Sequence, residues 1–237
     1  MGDNKRALVW DADGERLYET GNKKGVLYPK KSGVYQAGVA WNGLTAVTES
    51  PSGAEANDMW ADDLKYGSIR SAEQFGGTIE AYTYPDEWSQ CDGSYSPATG
   101  LSVGQQSRIP FGFSYVTTIG NDEDGLDHGY KLHLVYNATA NPSERSHSTV
   151  NDSPEAETMS WEFTTTPVVI KAKDANGVQL KPTAHLIIDS TKVDKLKLTK
   201  LENMLYGTDP DPETTTEGSV PTLPTPDQVI AMFAAEG

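Results

Sequence analysis

Hydrophobic positions along this chain recur mostly at every second residue, in short runs divided by turn residues. In "GGTIEAYTY", Ile79, Ala81 and Thr83 fall on one face and Glu80, Tyr82 and Tyr84 on the other, the alternation of a half-buried strand. "GVAWNGLTAVTES" alternates or is β-branched, the breaker "PSG" follows it, and "DLKYGSIRS" can return as a partner strand. "IPFGFSYVTTIG", "GYKLHLVYNATA" and "ETMSWEFTTTPVVIKA" predict three more strands, "KDANGVQLKP" a turn, and "TAHLIID" the last strand. Near the start, "RALVW" and "ERLYET" flank "DADG" and predict a hairpin turning at Asp13-Gly14.

Helical periodicity is confined to three places. Pro85 suits a first helical turn, Asp86 and Glu87 suit the positive end of its dipole, and Gly93 can cap it, so "PDEWSQCDG" predicts one or two turns with Trp88 as a packing anchor. "DKLKLTKLENMLYG" predicts a longer helix with rows Leu196, Lys200, Met204 and Leu201, Leu205, ending at Gly207. "TPDQVIAMF" carries a capping box, Thr225 and Gln228, with Pro226 at the first helical position and an apolar face of Val229, Ile230 and Phe233. A helix that short is marginal alone in water and must dock, on its own core or on a neighbouring subunit. The pattern predicts a mainly β protein: an antiparallel β-sandwich or barrel over residues 1–206 with a flanking short helix, then an extended Pro-rich C-terminal tail, 207–237, ending in the docking helix.

Composition narrows the function. Across 237 residues, 34 Asp plus Glu stand against 19 Lys plus Arg, a formal charge of −15. Tight binding to phosphate backbones needs clustered Lys and Arg, so a nucleic-acid-gripping role is disfavoured. No apolar run reaches the ~18–20 residues of a membrane span, so no membrane anchor is expected. One cysteine, Cys91, excludes an internal disulfide framework. It has no nearby His and has acidic neighbours, which marks a core residue and not a nucleophile.

Short catalytic motifs are missing. Asp86, Glu87 and Asp92 could pair for acid/base work, but helix-dipole complementarity and a turn explain them. "NDEDGLDHG" lacks EF-hand spacing and reads as a polar loop. His128, His133, His147 and His185 show no zinc-site spacing. No enzyme activity, metal or cofactor is therefore expected.

Long ordered stretches carry a stronger signal. "GVLYP", "GVAWNGLTAVTESPSGAE", "ADDLKYGSIRSAEQFGGTIEAYTYPDEWSQCDGS", "GYKLHLVYNATANPSERSHSTVNDSPEAETMSWEFTTTPV" and "LPTPDQVIAMF" resemble the major tail proteins of long-tailed, non-contractile bacteriophages, over roughly residues 17–235. The resemblance implies a structural virion protein whose subunits form stacked, usually hexameric rings, a hollow tube through which the genome passes. It implies location in the virion tail, with assembly in the bacterial host cytoplasm. The expected partners are other copies of itself, the tape-measure, distal tail and terminator proteins, and DNA in non-sticking passage. It also implies a long hairpin projecting onto the next ring. Here that is Val39–Ser71, with Glu49, Ser50, Pro51, Ser52, Gly53, Ala54, Glu55, Asp58, Met59 and Trp60 at or near its tip. Glu49, Glu55, Asp58, Asp62 and Asp63 are candidates to face the lumen. Six copies at −15 each would give −90 per ring, a wall that repels DNA. The alternative is an immunoglobulin-like receptor-binding or adhesion module of a virion. A glycosidase using Asp86 or Glu87 is a third and weaker reading.

Overall fold

A computed structural model describes residues 7–150, 152–174, 176–210 and 217–234. The rest of the expected 1–206 domain and of the 207–237 extension lies outside the described residues. The chain enters its main sheet with β1 (Tyr18–Lys31). A short β2 (Val34–Tyr35) folds back on β1, and β3 (Val39–Trp41) lies along the Gly25–Leu27 section of β1. β4 (Leu44–Glu49) leads into an arm made of β5 (Ser52–Gly53), β6 (Ala56–Ala61), β7 (Leu64–Arg70) and β8 (Glu73–Gln74), and the chain returns as β9 (Gly76–Ala81). A 3-10 turn (Asp86–Trp88) and α1 (Ser89–Asp92) precede the small hairpin of β10 (Tyr95–Ala98) and β11 (Leu101–Val103). Then come β12 (Phe111–Asn121), β13 (Gly125–Ala140), β14 (Met159–Thr165) and β15 (His185–Asp189), followed by α2 (Lys195–Tyr206) and α3 (Pro226–Phe233).

The protein is mainly β, as the alternation predicts. Antiparallel pairing runs β2-β1-β12-β13-β14-β9-β4, with β15 beside β13 and β3 beside β1. β13 is the branch point: Lys131–Val135 pairs with β15, and Ala138–Ala140 pairs with β14. No ladder joins β3 to β4 among the described residues, so the sheet is not closed into a barrel.

Alternation along the central strands builds two cores, one on each face of the sheet. Leu27, Phe111, Phe113 and Val135 face Ile79, Ala81, Trp161 and Phe163 from β9 and β14 in an aromatic core. Val26, Tyr28, Leu132, Leu134 and Tyr136 point the other way, against Leu198, Leu201 and Leu205 of α2 and Val229 of α3. A strand covered on both faces reads as a continuous apolar run, which is why Gly25–Pro29 is buried without a break. Tyr28 also ties β1 to the helix layer, its hydroxyl donating to the Leu205 carbonyl at 2.8 Å.

"PDEWSQCDG" folds as its sequence predicts. Gly93 caps α1 at φ 85°, the left-handed region that favours glycine. Trp88 and Cys91 are fully buried. Trp88 meets Trp41 at 4.7 Å, Phe111 at 5.0 Å and Trp161 at 5.6 Å between ring centroids.

Three expectations are corrected. The turn at Asp13-Gly14 exists, with Glu15 N–H donating to the Ala12 carbonyl at 3.0 Å, but among the described residues its flanks form no hairpin. Tyr18–Thr20 pairs with Thr118–Gly120 of β12 instead, and Leu8, Val9 and Trp10 stay exposed. An isolated two-stranded ribbon is marginal, and a long buried strand is the better partner. On α2, Leu196 is 82% exposed and Leu198 takes the core position, because the buried row runs 198, 201, 205 at helical spacing. "PSG" does not end the β structure, since Ser52 and Gly53 pair with Gln74 and Glu73.

Candidate functional site

The arm carries most of the residues singled out in the sequence. It leaves the body after Glu49 and returns at Gly76, with Ser50 N–H bonded to the Gly76 carbonyl at 2.8 Å. Beyond the β5–β8 pair, Ala56 faces Arg70 and the ladder runs out to Ala61 opposite Leu64. Asp62 and Asp63 make the turn, both with positive φ, 49° and 58°, the backbone of a two-residue hairpin loop in which Asp is tolerated. The tip therefore lies at 62–63, at the far end of the stretch expected there, whose first residues form the root and base of the arm. Val39–Trp41 and Leu44–Glu49 belong to the body, paired with β1 and β9.

Arm side chains find little cover. All of β6 is exposed, and so is β7 apart from Gly67. Met59, Trp60, Leu64, Tyr66 and Ile69 are exposed apolar residues on this one ribbon, Trp60 at 69% and Tyr66 at 79%. The candidate acids are strung along it. Glu49 sits at the root, Glu55 near the base, and Asp62 and Asp63 at the tip. Asp58 pairs across the ladder with Lys65 at 2.8 Å. Ser50, Pro51, Ser52 and Gly53 are exposed at the base, with Ala54 partly covered and its N–H bonded to Ser71 Oγ at 3.1 Å.

Both feet of the arm rest on a polar cluster that spacing along the chain does not reveal. Glu49 Oε1 lies 3.1 Å from His133 Nδ1 and 3.6 Å from His185 Nε2, and those two nitrogens are 3.3 Å apart. Tyr115 donates its hydroxyl to Glu49 Oε1 at 2.6 Å. Phe75, the other foot, stacks on His185 at 4.3 Å. His133 stacks on Tyr115 at 4.5 Å. Burial pushes the His133 imidazole below its usual range, against the pull of Glu49 and Glu19. Burial first, then His133, pushes His185 down to about 4, with Glu49 opposing. Burial, then Glu49, raises the Tyr115 phenol. Burial thus disfavours the charged form of both imidazoles. Outside this cluster, Thr117 donates its hydroxyl to Glu19 Oε1 at 2.6 Å and so accepts from His133 Nε2 at 3.1 Å. Lys131 also bonds Glu19. Glu19 is held low: burial raises it, but the Lys131 and Thr117 hydrogen bonds and the Lys131 charge outweigh that.

The remaining candidates are dispersed. Asp86 and Glu87 are exposed, and Asp92 accepts from Ser94 in the turn after α1. Of the 121–129 stretch read as a loop, only 122–124 form the turn between β12 and β13, where Asn121 Oδ1 accepts from the Glu123 and Asp124 N–H groups, while Gly125–Gly129 already belong to β13. His128 contacts Asp124 and His147 contacts Glu157. On α3 the capping box forms as predicted. Val229 is buried, with Ile230 and Phe233 half-buried, and the helix docks on its own subunit, beside Leu223. Asp227 fixes it further by accepting from the Lys171 N–H at 2.8 Å. Comparison with known proteins finds no family model that matches the chain and no curated protein that matches it.

Proposed function

We propose that this chain is a structural, non-enzymatic virion protein, the tube-forming subunit of a non-contractile phage tail, with the arm as its contact to the adjacent ring. The observation that carries this reading is the arm itself. A two-stranded ribbon is marginally stable in water, and this one holds five large apolar side chains at its surface. Such a ribbon calls for a partner, and an identical copy stacked along an axis supplies one without limit, since head-to-tail contacts propagate. Free strand edges of the main sheet offer a second kind of contact, within the ring, by edge pairing. The net charge of −15 then suits a wall beside DNA that must slide, because a conduit that neutralised phosphates would hold its cargo.

Negative-stain microscopy of the purified chain tests the proposal. Rings or stacked tubes are the expected result. Compact monomers under every condition, with no incorporation into tails, would overturn it. Saturable binding to a host glycan or surface protein by the monomer would favour the adhesion reading in its place.

A further inference from the structure

The cluster at the arm's root has the geometry of a metal centre. A four-coordinate zinc ion with bonds of about 2.0–2.1 Å to nitrogen and carboxylate oxygen places neighbouring ligand atoms about 3.3 Å apart. Glu49 Oε1, His133 Nδ1 and His185 Nε2 form a triangle with sides of 3.1, 3.6 and 3.3 Å. The three come from three different strands, β4, β13 and β15, so no local requirement of a turn or helix brings them together. We propose that these side chains bind one first-row divalent transition-metal ion, Zn²⁺ by preference, with the fourth position left to solvent.

The surroundings match what such a site needs. A ligating histidine is normally oriented by a hydrogen bond at its other nitrogen, often relayed to a carboxylate. His133 Nε2 meets Thr117 Oγ1, which in turn bonds Glu19. The carboxylate ligand is held as well, by the Tyr115 hydroxyl. His185 is fixed by its stack on Phe75. His133 and His185 are nearly closed off, their side chains 5% and 12% exposed, while Glu49 at 35% leaves a route for the ion. The two nitrogens, one oxygen and open fourth position suit borderline ions and not Mg²⁺ or Ca²⁺, which demand more oxygens. Bound here, the ion would pin β4 to the β13–β15 pair and so fix the direction in which the arm leaves the body.

The test uses the full chain, stripped with chelator and dialysed against Zn²⁺, with metal analysis of the retained ion. One Zn²⁺ per chain is expected, and Co²⁺ in its place should show the intense visible absorption of four-coordinate cobalt. His185→Gln should weaken Zn²⁺ binding by about 100-fold or more, and Thr117→Val, which spares all three ligands, by about 10–100-fold. Failure of the wild type to retain Zn²⁺, a six-coordinate cobalt spectrum, or undiminished binding by His185→Gln would each overturn the proposal. Should His185→Gln not fold, Thr117→Val decides, and unchanged affinity in that variant overturns it.

Discussion

Replacing Trp60 by alanine tests the proposed contact between the arm and a neighbouring copy apart from any role of the arm in its own subunit. Trp60 is 69% exposed. A tryptophan can bury up to about 250 Å², so roughly 170 Å² of this one awaits cover, worth about 4 kcal/mol at ~25 cal/mol per Å². Alanine keeps part of that area, leaving a loss of about 3 kcal/mol per arm contact, or roughly 100-fold in association. The subunit itself loses little, since surface substitutions usually change stability by less than about 0.5 kcal/mol. Sedimentation of polymer from monomer over a concentration series gives the critical concentration for tube growth, and thermal unfolding of the monomer gives the control. The expected outcome is a critical concentration raised roughly 100-fold with an unchanged monomer transition. Growth of Trp60→Ala tubes at the wild-type critical concentration would refute the reasoning, as would a large loss of monomer stability, which would mean that the ring is already covered.

Three other outcomes follow from the cores. Trp88→Ala empties a fully buried site among Trp41, Phe111 and Trp161 and should cost about 3–5 kcal/mol in urea unfolding; a loss under about 1 kcal/mol would contradict the packing. Cys91, whose thiol burial and then the Asp92 charge push up to about 12, should resist alkylation in the native protein and react once denatured; rapid native labelling would refute its burial. Leu223→Ala removes a side chain packed so closely over Gly112 that an added Cβ there would lie 2.2 Å from it. It should destabilise the monomer by about 2–5 kcal/mol, whereas an unaffected monomer would mean that the tail docks elsewhere.

The features legible in the sequence are those whose signals are local. The alternation of Ile79 and Ala81 against Glu80, the Pro85–Gly93 bracket, and the Thr225–Gln228 capping box each fix their own backbone and appear as read. The errors arise where a distant segment decides. The "ERLYET" segment had a good turn before it, but β12 competed for its hydrogen bonds and took Tyr18–Thr20. Leu196 and Leu198 are equally apolar, and only the position of the sheet beneath α2 selects Leu198. "ANDMWA" lacks the β-branched run of a buried strand because its side chains meet solvent, so β6 is recognised only through its partner β7. His133 could be placed on a strand. Its meeting with Glu49 and His185 depends on the fold of β4 over the β13–β15 pair, and no spacing rule contains that.

β13 serves two masters at once. Leu132 and Leu134 press against the helical layer, and His133 between them reaches into the cluster beneath the arm. Close-packed interiors have little compressibility, so this strand acts as a stiff rocker: displacement of α2 by a body seated against it tilts the footing from which the ribbon projects. In the proposed tube, the helical layer and the footing of the arm would be geared together through this one strand, and the angle of the arm would be set partly by what leans on α2.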